Sequence, residues 1–259
     1  MLPSWRKLGP QLRINVAHQC IVQVKWAGMQ SHTWHSPDVR LEDAEQVPFA
    51  LDVALGMVSP AVLNGIRMAG TVAVQLPDSL ARLTTVPWSP DIRQGDELLQ
   101  YARVQFELQG LALKEGWTLQ CDWHARGASA LAYALPDQLI ERIQAHLATH
   151  GLVLDHLMPA SAHCHYRPLL RQKHVHVHLL RQGHRISALA YHHARLLDWL
   201  QEADSEQPVA LKRLLQRLTF VLPPDQITHV ECVGCSERDL RQAGLSEAIM
   251  VRETSWERA

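Results

Sequence analysis

Five segments between residues 71 and 157 set the organisation of this chain: Thr71-Val-Ala-Val-Gln-Leu-Pro77, Asp96-Glu-Leu-Leu-Gln-Tyr-Ala-Arg-Val-Gln-Phe106, Trp117-Thr-Leu-Gln-Cys-Asp-Trp123, Ser129-Ala-Leu-Ala-Tyr-Ala-Leu135 and Gly151-Leu-Val-Leu-Asp155. The first segment alternates apolar and polar positions and is interrupted at Pro77, so the region up to Leu83 predicts two strands or one bent strand. In the second segment the apolar side chains recur at helical spacing, and Asp96 and Glu97 suit the positive end of a helix dipole. This segment predicts an amphipathic helix that continues to Gln109.

The other three segments add a strand pair, a helix and a strand. The third and fourth predict a hairpin around Gly127. A helix from Asp137 to His150 follows, and Gly151 ends it as a C-terminal cap. The last segment predicts a strand from Leu152 to His156. This order of elements indicates a subdomain inserted into a larger α/β body.

This block resembles the actin-like assembly proteins of type IV pilus and type II secretion machines, the family of PilM and the cytoplasmic domain of GspL. In that family the inserted subdomain opens with a strand, a Leu-Pro turn and a second strand that ends near a proline, and Val74-Gln-Leu-Pro77 and Val86-Pro87 match this. The later Gly-Leu step before a Val-x-Asp strand is matched by Gly151-Leu-Val-Leu-Asp155. The resemblance implies an α/β, actin-like (RNase H-like) two-lobed fold with an inserted small α+β subdomain.

The same resemblance divides the chain into two lobes and an insertion. It assigns residues 1–70 and 136–160 to the first lobe, residues 71–135 to the inserted subdomain and residues 161–259 to an eroded second lobe. Periodicity predicts further elements in these regions. They are a strand pair within 12–26, a helix at 48–66, a strand pair within 174–190, helices at 194–201 and 209–220, a strand at 227–233 and a helix at 237–243.

The nucleotide site that the resemblance implies is degenerate in this sequence. Actin-like ATPases hold a triphosphate between two hairpin turns of the form Asp-x-Gly, because glycine allows close backbone approach and a carboxylate is needed near the metal ion. At the first turn this sequence has Asn15-Val16-Ala17 in place of Asp-x-Gly. No Asp-x-Gly occurs near the expected second turn, between His163 and Lys173. A glycine pair that contacts adenosine is reduced to Gly234-Cys235-Ser236.

The degenerate remnants Asn15, Ala17 and Gly234 predict a pseudo-ATPase with no cofactor and no catalytic residue. The alternative is an actin-like ATPase with an atypical site. No nucleophile elbow, Walker loop, Rossmann glycine fingerprint or zincin helix motif occurs in the sequence, so other enzyme classes have no motif in their favour.

The resemblance implies a scaffold role at an inner-membrane assembly platform. Proteins of this family bind the cytoplasmic tail of a membrane-anchored partner, or the secretion ATPase. The matching surface here is expected around residues 88–109 and the strands near Leu76, with Leu76, Trp88, Leu98 and Tyr101 as partner-binding residues. Trp88 stands in a Pro-Trp-Ser-Pro loop, where a large aromatic side chain is hard to bury, and is the predicted anchor.

Charge and hydropathy limit the other partners. The chain has 25 basic and 26 acidic residues, so no basic field favours nucleic acid or an anionic membrane surface. The longest uncharged run, residues 53–66, has 14 residues and contains Ser59, Pro60 and Asn64, too short and interrupted to cross a bilayer. The N-terminus lacks the apolar core of a secretory signal. We expect a cytoplasmic protein, held peripherally at the inner membrane through a partner.

Histidine is the unusual residue of the composition, with 16 in the chain. His174, His176 and His178 alternate along a predicted strand and share one face, where they are weak candidates for a zinc or nickel site completed by His184 or His192. The alternative places them on the outward face of an edge hairpin. No carboxylate or cysteine lies nearby in sequence to orient the ligands, which favours the alternative.

The five cysteines are odd in number and mostly scattered, which favours reduced thiols over a disulfide framework. Cys232-Val-Gly-Cys235 lies between a predicted strand and a predicted helix, where a helix N-terminus lowers the pKa of a redox-active thiol. The resemblance gives another explanation, in which this turn is the remnant of the adenosine-binding glycine pair.

Overall fold

The computed structural model describes residues 10–16, 20–25, 32–36, 41, 43–93, 95–121, 123, 126–166, 175–193, 195–203, 209–222 and 226–254. These residues form thirteen strands and seven α-helices. The chain divides into two compact units. Unit 1 comprises residues 1–80 and 135–160, and unit 2 comprises residues 81–134 and 161–259.

Unit 1 is built on a five-stranded sheet. Its strands are β1 (Gln11–Asn15), β2 (Cys20–Lys25), β3 (His32–Ser36), β4 (Thr71–Leu76) and β8 (Leu154–Pro159), in the order β3-β2-β1-β4-β8. Strand β2 is antiparallel to both β1 and β3, whereas β4 is parallel to both β1 and β8. Alternation along β1 buries Leu12 and Ile14, and three helices complete the unit. They are α1 (Val47–Met57), α2 (Pro60–Ala69) and α4 (Asp137–Thr149).

Proline divides the helix that the sequence predicts at residues 48–66. Ser59 has an extended backbone (φ −60°, ψ 146°), and Pro60 is the first residue of α2. A residue before proline is pushed out of the helical region, and proline has no N–H for the helical ladder. Two helices therefore stand where one is predicted.

Unit 2 contains a second five-stranded sheet. Its strands are β9 (Val175–Gln182), β10 (Arg185–His192), β11 (Arg195–Ala203), β12 (Ile227–Val233) and β13 (Met250–Glu253), in the order β11-β10-β9-β12-β13. Strands β9, β10 and β11 form an antiparallel meander, and β12 is parallel to both β9 and β13. Helices α5 (Ala160–Tyr166), α6 (Val209–Val221) and α7 (Glu237–Gln242) are its other elements. Both five-stranded sheets thus combine an antiparallel meander with two parallel strands in the same order.

The predicted helix at residues 194–201 is wrong, because this segment is strand β11. Leu196 and Leu200 are four residues apart, a spacing that fits one face of a helix. Residues separated by an even number of positions also share one face of a strand. Leu200 pairs with Ala188 of β10, and both side chains are buried. Pairing along the whole of β10 decides the conformation.

The third sheet belongs to the insertion. It contains β5 (Arg82–Val86), β6 (Trp117–Gln120) and β7 (Ala130–Pro136) in the order β5-β7-β6, beside helix α3 (Asp96–Leu108). Leu98, Ala102 and Phe106 of α3 are fully buried in one core with small side chains of β7. The region from Thr71 to Leu83 therefore holds two strands of different sheets, separated by Pro77 and a 3₁₀ turn at 78–80.

The insertion starts later than the sequence predicts. Strand β4 pairs with β1 and β8 in the first sheet, so the predicted boundary at residue 71 is wrong, and the insertion begins near residue 81. Hydrogen bonds join the insertion to the second sheet within unit 2. The Thr85 hydroxyl donates to Asp198 Oδ1 over 2.8 Å, and the Ser129 N–H donates to the Leu196 carbonyl over 3.2 Å.

No single helix in the described part of the chain has the length and apolar character to span a membrane. Two consecutive helical segments, Ala44–Met57 and Pro60–Met68, pass the test together but are bent by 111°.

Candidate functional site

The first turn that the sequence associates with phosphate lies at the end of β1. Asn15 is the last residue of this strand and is 7% exposed. The Val16 N–H donates to the Gln75 carbonyl over 3.0 Å, so the chain continues beside β4 as it leaves the sheet. Ala17 lies outside the described residues. A neutral amide thus stands at the position where the family pattern has a carboxylate.

The turn between β9 and β10 corresponds to the first turn by the strand order that the two five-stranded sheets share, and it lies further along the chain than the sequence predicts. Residues 160–166 are helix α5, and 167–173 lie outside the described residues. The turn of the antiparallel β9–β10 pair is formed by Gly183 and His184, with a φ of 53° at the glycine. Gln182 is 5% exposed, and the flanking ionisable residues are Arg181 and Arg185. This turn keeps a glycine and has no carboxylate.

The third remnant, Gly234, has a structural role of its own. It follows β12 with a φ of 77°, a conformation that favours glycine. A Cβ at this position would lie 2.8 Å from the Arg181 carbonyl oxygen. Packing of the Gly234 turn against β9 is therefore enough to require a glycine here, and no nucleotide is needed to explain it.

Side chains of the protein occupy the donors at the start of α7. Ser236 Oγ accepts from the Asp239 N–H over 3.2 Å, and Asp239 Oδ2 accepts from the Ser236 N–H over 3.1 Å, which completes a capping box. The Glu237 N–H donates to Glu253 Oε1 over 2.7 Å. The bond from the Ser236 backbone, with a further one from its side chain, lowers the pKa of Asp239. Two carboxylates thus stand at this helix start, where their charge opposes an incoming anion.

The Cys232–Cys235 pair lies where the chain passes from β12 to α7. The Cys232 thiol donates to the Cys235 carbonyl over 3.2 Å, and both cysteines are free. The side-chain hydrogen bond with Cys232 and burial raise the pKa of the Cys235 thiol. Burial and this bond disfavour the thiolate form of Cys235, which a reactive cysteine needs.

The histidine row predicted on β9 lies in the middle of a sheet. Strand β9 has β10 on one side and β12 on the other, so the predicted edge position is wrong. His174 lies outside the described residues, as does the side chain of His176. His178 is half-buried, with Nδ1 3.3 Å from Glu231 Oε2 on β12 and its ring edge-on to Tyr191. In this setting His178 is part of the interior of unit 2.

Two of the four predicted partner-binding residues are core residues. Leu76 and Leu98 are both 0% exposed, so their selection as contact residues is corrected. Leu76 is the last residue of strand β4 in the unit 1 sheet, and Leu98 lies on the face of α3 that packs against β7. Trp88 and Tyr101 are half-buried, and Tyr101 packs at the margin of the core of the insertion. These two remain predicted contacts.

An exposed apolar stripe on α3 adds to them. Val104 is 47% and Leu108 is 75% exposed. With Tyr101 they occur at i, i+3 and i+7, which places all three on one face of the helix. Leu111, just beyond the helix, is 36% exposed. Leu108 is apolar like the buried side chains of this helix, and only the structure shows that it faces outward.

One group of side chains in the described residues has the arrangement of metal ligands. Asp52 lies on α1, and His146 and His150 lie at the end of α4. The Nε2 atoms of His146 and His150 are 2.9 Å and 3.1 Å from Asp52 Oδ1. Sequence reasoning missed this group because Asp52 lies 94 residues before His146.

No protein-family model matches the chain, and no curated protein matches it in sequence. Solved structures do match. A Bacteroides thetaiotaomicron protein with an actin-like ATPase fold and unknown function aligns over 98% of this chain and 94% of its own, at a TM-score of 0.60 and 10% identity.

Two other solved structures come from assembly machines. The cytoplasmic domain of EpsL, an inner membrane component of the Vibrio cholerae type II secretion system, aligns over 95% of this chain and 88% of its own, at a TM-score of 0.52 and 13% identity. The PilM–PilN type IV pilus biogenesis complex aligns over 95% of this chain and 91% of its own, at 0.54 and 12%. These similarities and the strand order shared by its two five-stranded sheets show that the chain has the actin-like fold.

Proposed function

We propose that this chain is a non-catalytic scaffold of a type IV pilus or type II secretion-like inner-membrane assembly platform. It binds the cytoplasmic tail of a membrane-anchored protein, or the secretion ATPase, and is held at the cytoplasmic side of the inner membrane by that partner. The likeness in fold to EpsL and to PilM in its complex with PilN supports the setting.

The absence of catalysis rests above all on the β9–β10 turn. Its four positions, Gln182 to Arg185, are all described, and none of them carries a carboxylate. A magnesium-bound triphosphate needs oxygen ligands for the metal ion, and guanidinium groups cannot supply them. The packing that retains Gly234 and the capping of α7 by Asp239 and Glu253 support the same conclusion. In both cases a contact within the protein explains why the residue is present, so no bound nucleotide is needed as the explanation.

Isothermal titration of untagged protein with magnesium-ATP tests the proposal. We expect no saturable heat. The alternative, an actin-like ATPase with an atypical site, predicts micromolar or tighter binding, and that result would remove the basis of the proposal. A titration with magnesium chloride alone is the control, because it separates nucleotide binding from binding of the cation.

The partner surface proposed is the apolar stripe of Tyr101, Val104 and Leu108 with Trp88. Exposed apolar side chains on one face of a helix suit a partner that brings its own apolar side chains, such as an amphipathic helix. In unit 2 the opposite face of α3 is already buried against β7. The stripe is therefore the part of this helix that is free to contact another protein.

A further inference from the structure

We propose that Asp52, His146 and His150 form a binding site for a divalent transition-metal ion, zinc foremost, which joins α1 to α4. One ligand atom from each of the three residues lies within 4.8 Å of the others. The site is separate from the histidine row on β9 and does not depend on the proposed scaffold function.

The spacing of the two histidines is that of a helical metal-binding pair. Residues at i and i+4 lie on one face of a helix, so imidazoles at 146 and 150 point to the same side, as in helical zinc sites. Their ring centroids are 5.3 Å apart. In a tetrahedral zinc site, metal–ligand distances of about 2.0–2.2 Å place ligand atoms roughly 3.3 Å apart. The Nε2 atoms of His146 and His150 lie 2.9 Å and 3.1 Å from Asp52 Oδ1. A small rotation of the side chains would bring these distances to the tetrahedral value.

The chemistry of the donors selects the ion. Imidazole nitrogen suits zinc, copper and nickel, whereas magnesium and calcium take oxygen ligands almost entirely. Two neutral imidazoles and one carboxylate carry a charge of about −1, which complements a divalent cation. The side chains are 19%, 35% and 52% exposed for His146, His150 and Asp52, so solvent can supply a fourth ligand.

Hydrogen bonds and packing hold the end of α4 in place. Arg67 of α2 donates from Nε to the His150 carbonyl over 2.7 Å and from Nη1 to Asn64 over 3.0 Å. The Thr149 hydroxyl donates to the His146 carbonyl over 2.7 Å. Leu147, between the two histidines, is 0% exposed. Because the backbone is fixed, metal binding needs little ordering of the chain beyond the three side chains.

Zinc titration of untagged protein against a chromophoric chelator tests the site. We expect a single ion per chain, and we expect His146→Ala and His150→Ala each to weaken binding by more than about tenfold, since even the loss of an outer-shell partner costs about 10–100-fold. Asp52→Asn, which keeps the size of the side chain, should also weaken binding. Zinc should raise the melting temperature of the wild type and leave that of the double histidine variant unchanged.

His156→Ala is the matched control. His156 Nε2 lies 3.3 Å from Asp155 Oδ2, so this residue is also a histidine beside a carboxylate. Among the described residues, it belongs to no group of three side chains with the arrangement of metal ligands. This variant should bind zinc as the wild type does. Melting in the presence of a chelator should be equal for all variants, which shows that the substitutions leave the fold intact.

Cobalt substitution identifies the ligands. Thiolate ligands add a charge-transfer band in the near ultraviolet that imidazole and carboxylate ligands do not give, so the cobalt spectrum should lack this band. Unchanged affinity in the His146 and His150 variants, an equal loss in His156→Ala, or a thiolate band would each overturn the proposal.

Discussion

At Gly234 the φ angle is 77°, and a Cβ would lie 2.8 Å from the Arg181 carbonyl oxygen. We predict that Gly234→Ala lowers the free energy of unfolding by about 2–5 kcal/mol. A left-handed conformation costs a non-glycine residue roughly 1–2 kcal/mol, and forcing an extra methyl group into packed surroundings adds about 1–3 kcal/mol. Urea denaturation measures the change.

Gly244→Ala is the control for this prediction. Gly244 has a φ of 101° but no atom within 4 Å of its would-be Cβ, so only the conformational cost of about 1–2 kcal/mol applies. Equal losses at the two glycines would show that the contact with Arg181 contributes nothing. Gly234 would then need a different explanation, and a nucleotide would return as a candidate.

Residue type alone did not separate core from surface on α3. Leu98 and Leu108 are the same type of residue on the same amphipathic helix, yet Leu98 is 0% exposed and Leu108 is 75% exposed. The sequence predicts Leu98 as a partner contact, and the structure places it on the buried face of α3. The histidines show the same limit, since the row along β9 was visible in the sequence and the group around Asp52 was not.

At the scale of the element, α3 has two faces with opposite expected sensitivity. We predict that Phe106→Ala destabilises the protein by about 3–5 kcal/mol because it empties a fully buried site. Leu108→Ala should stay within about 0.5 kcal/mol of the wild type, as exposed substitutions do. Thermal and urea unfolding check both values, and a large loss for Leu108→Ala would show that this side chain packs within the protein.

Periodicity predicted most elements of the insertion and its flanks. The helix at 96–109, the strand pair after it and the helix at 137–150 all occur within a few residues of the predicted bounds. A segment whose apolar spacing fits both a helix and a strand could not be assigned from the sequence. Residues 195–203 are such a segment, and they form a strand because they pair with β10. Strands β3 and β13 and helix α5 were not predicted.

At the scale of the whole molecule, the proposed scaffold needs a partner to reach the membrane. We predict that the protein sediments with membranes from its own host and remains in the soluble fraction when it is produced alone in a host without such a machine. Leu108→Glu should release it from host membranes, because a charge in the centre of an apolar contact has no partner there.

Gln109→Glu serves as the matched control for the recruitment experiment. It adds the same charge to an exposed neighbouring position that is not part of the stripe, and it should leave sedimentation unchanged. Membrane association of the protein produced alone would contradict the proposed recruitment. Release by both variants would show that charge, rather than the apolar stripe, governs the interaction.

The sequence by itself determined most of the local elements and the missing carboxylates, because periodicity and residue type act over a few neighbouring positions. Only the tertiary structure decided that β4 belongs to the first sheet, that the second turn is at Gly183, and that β11 is a strand. It also brought Asp52 to within 3.1 Å of two histidines that lie 94 and 98 residues further along the chain. Such contacts follow from how helices and strands pack, and spacing along the chain carries no record of them.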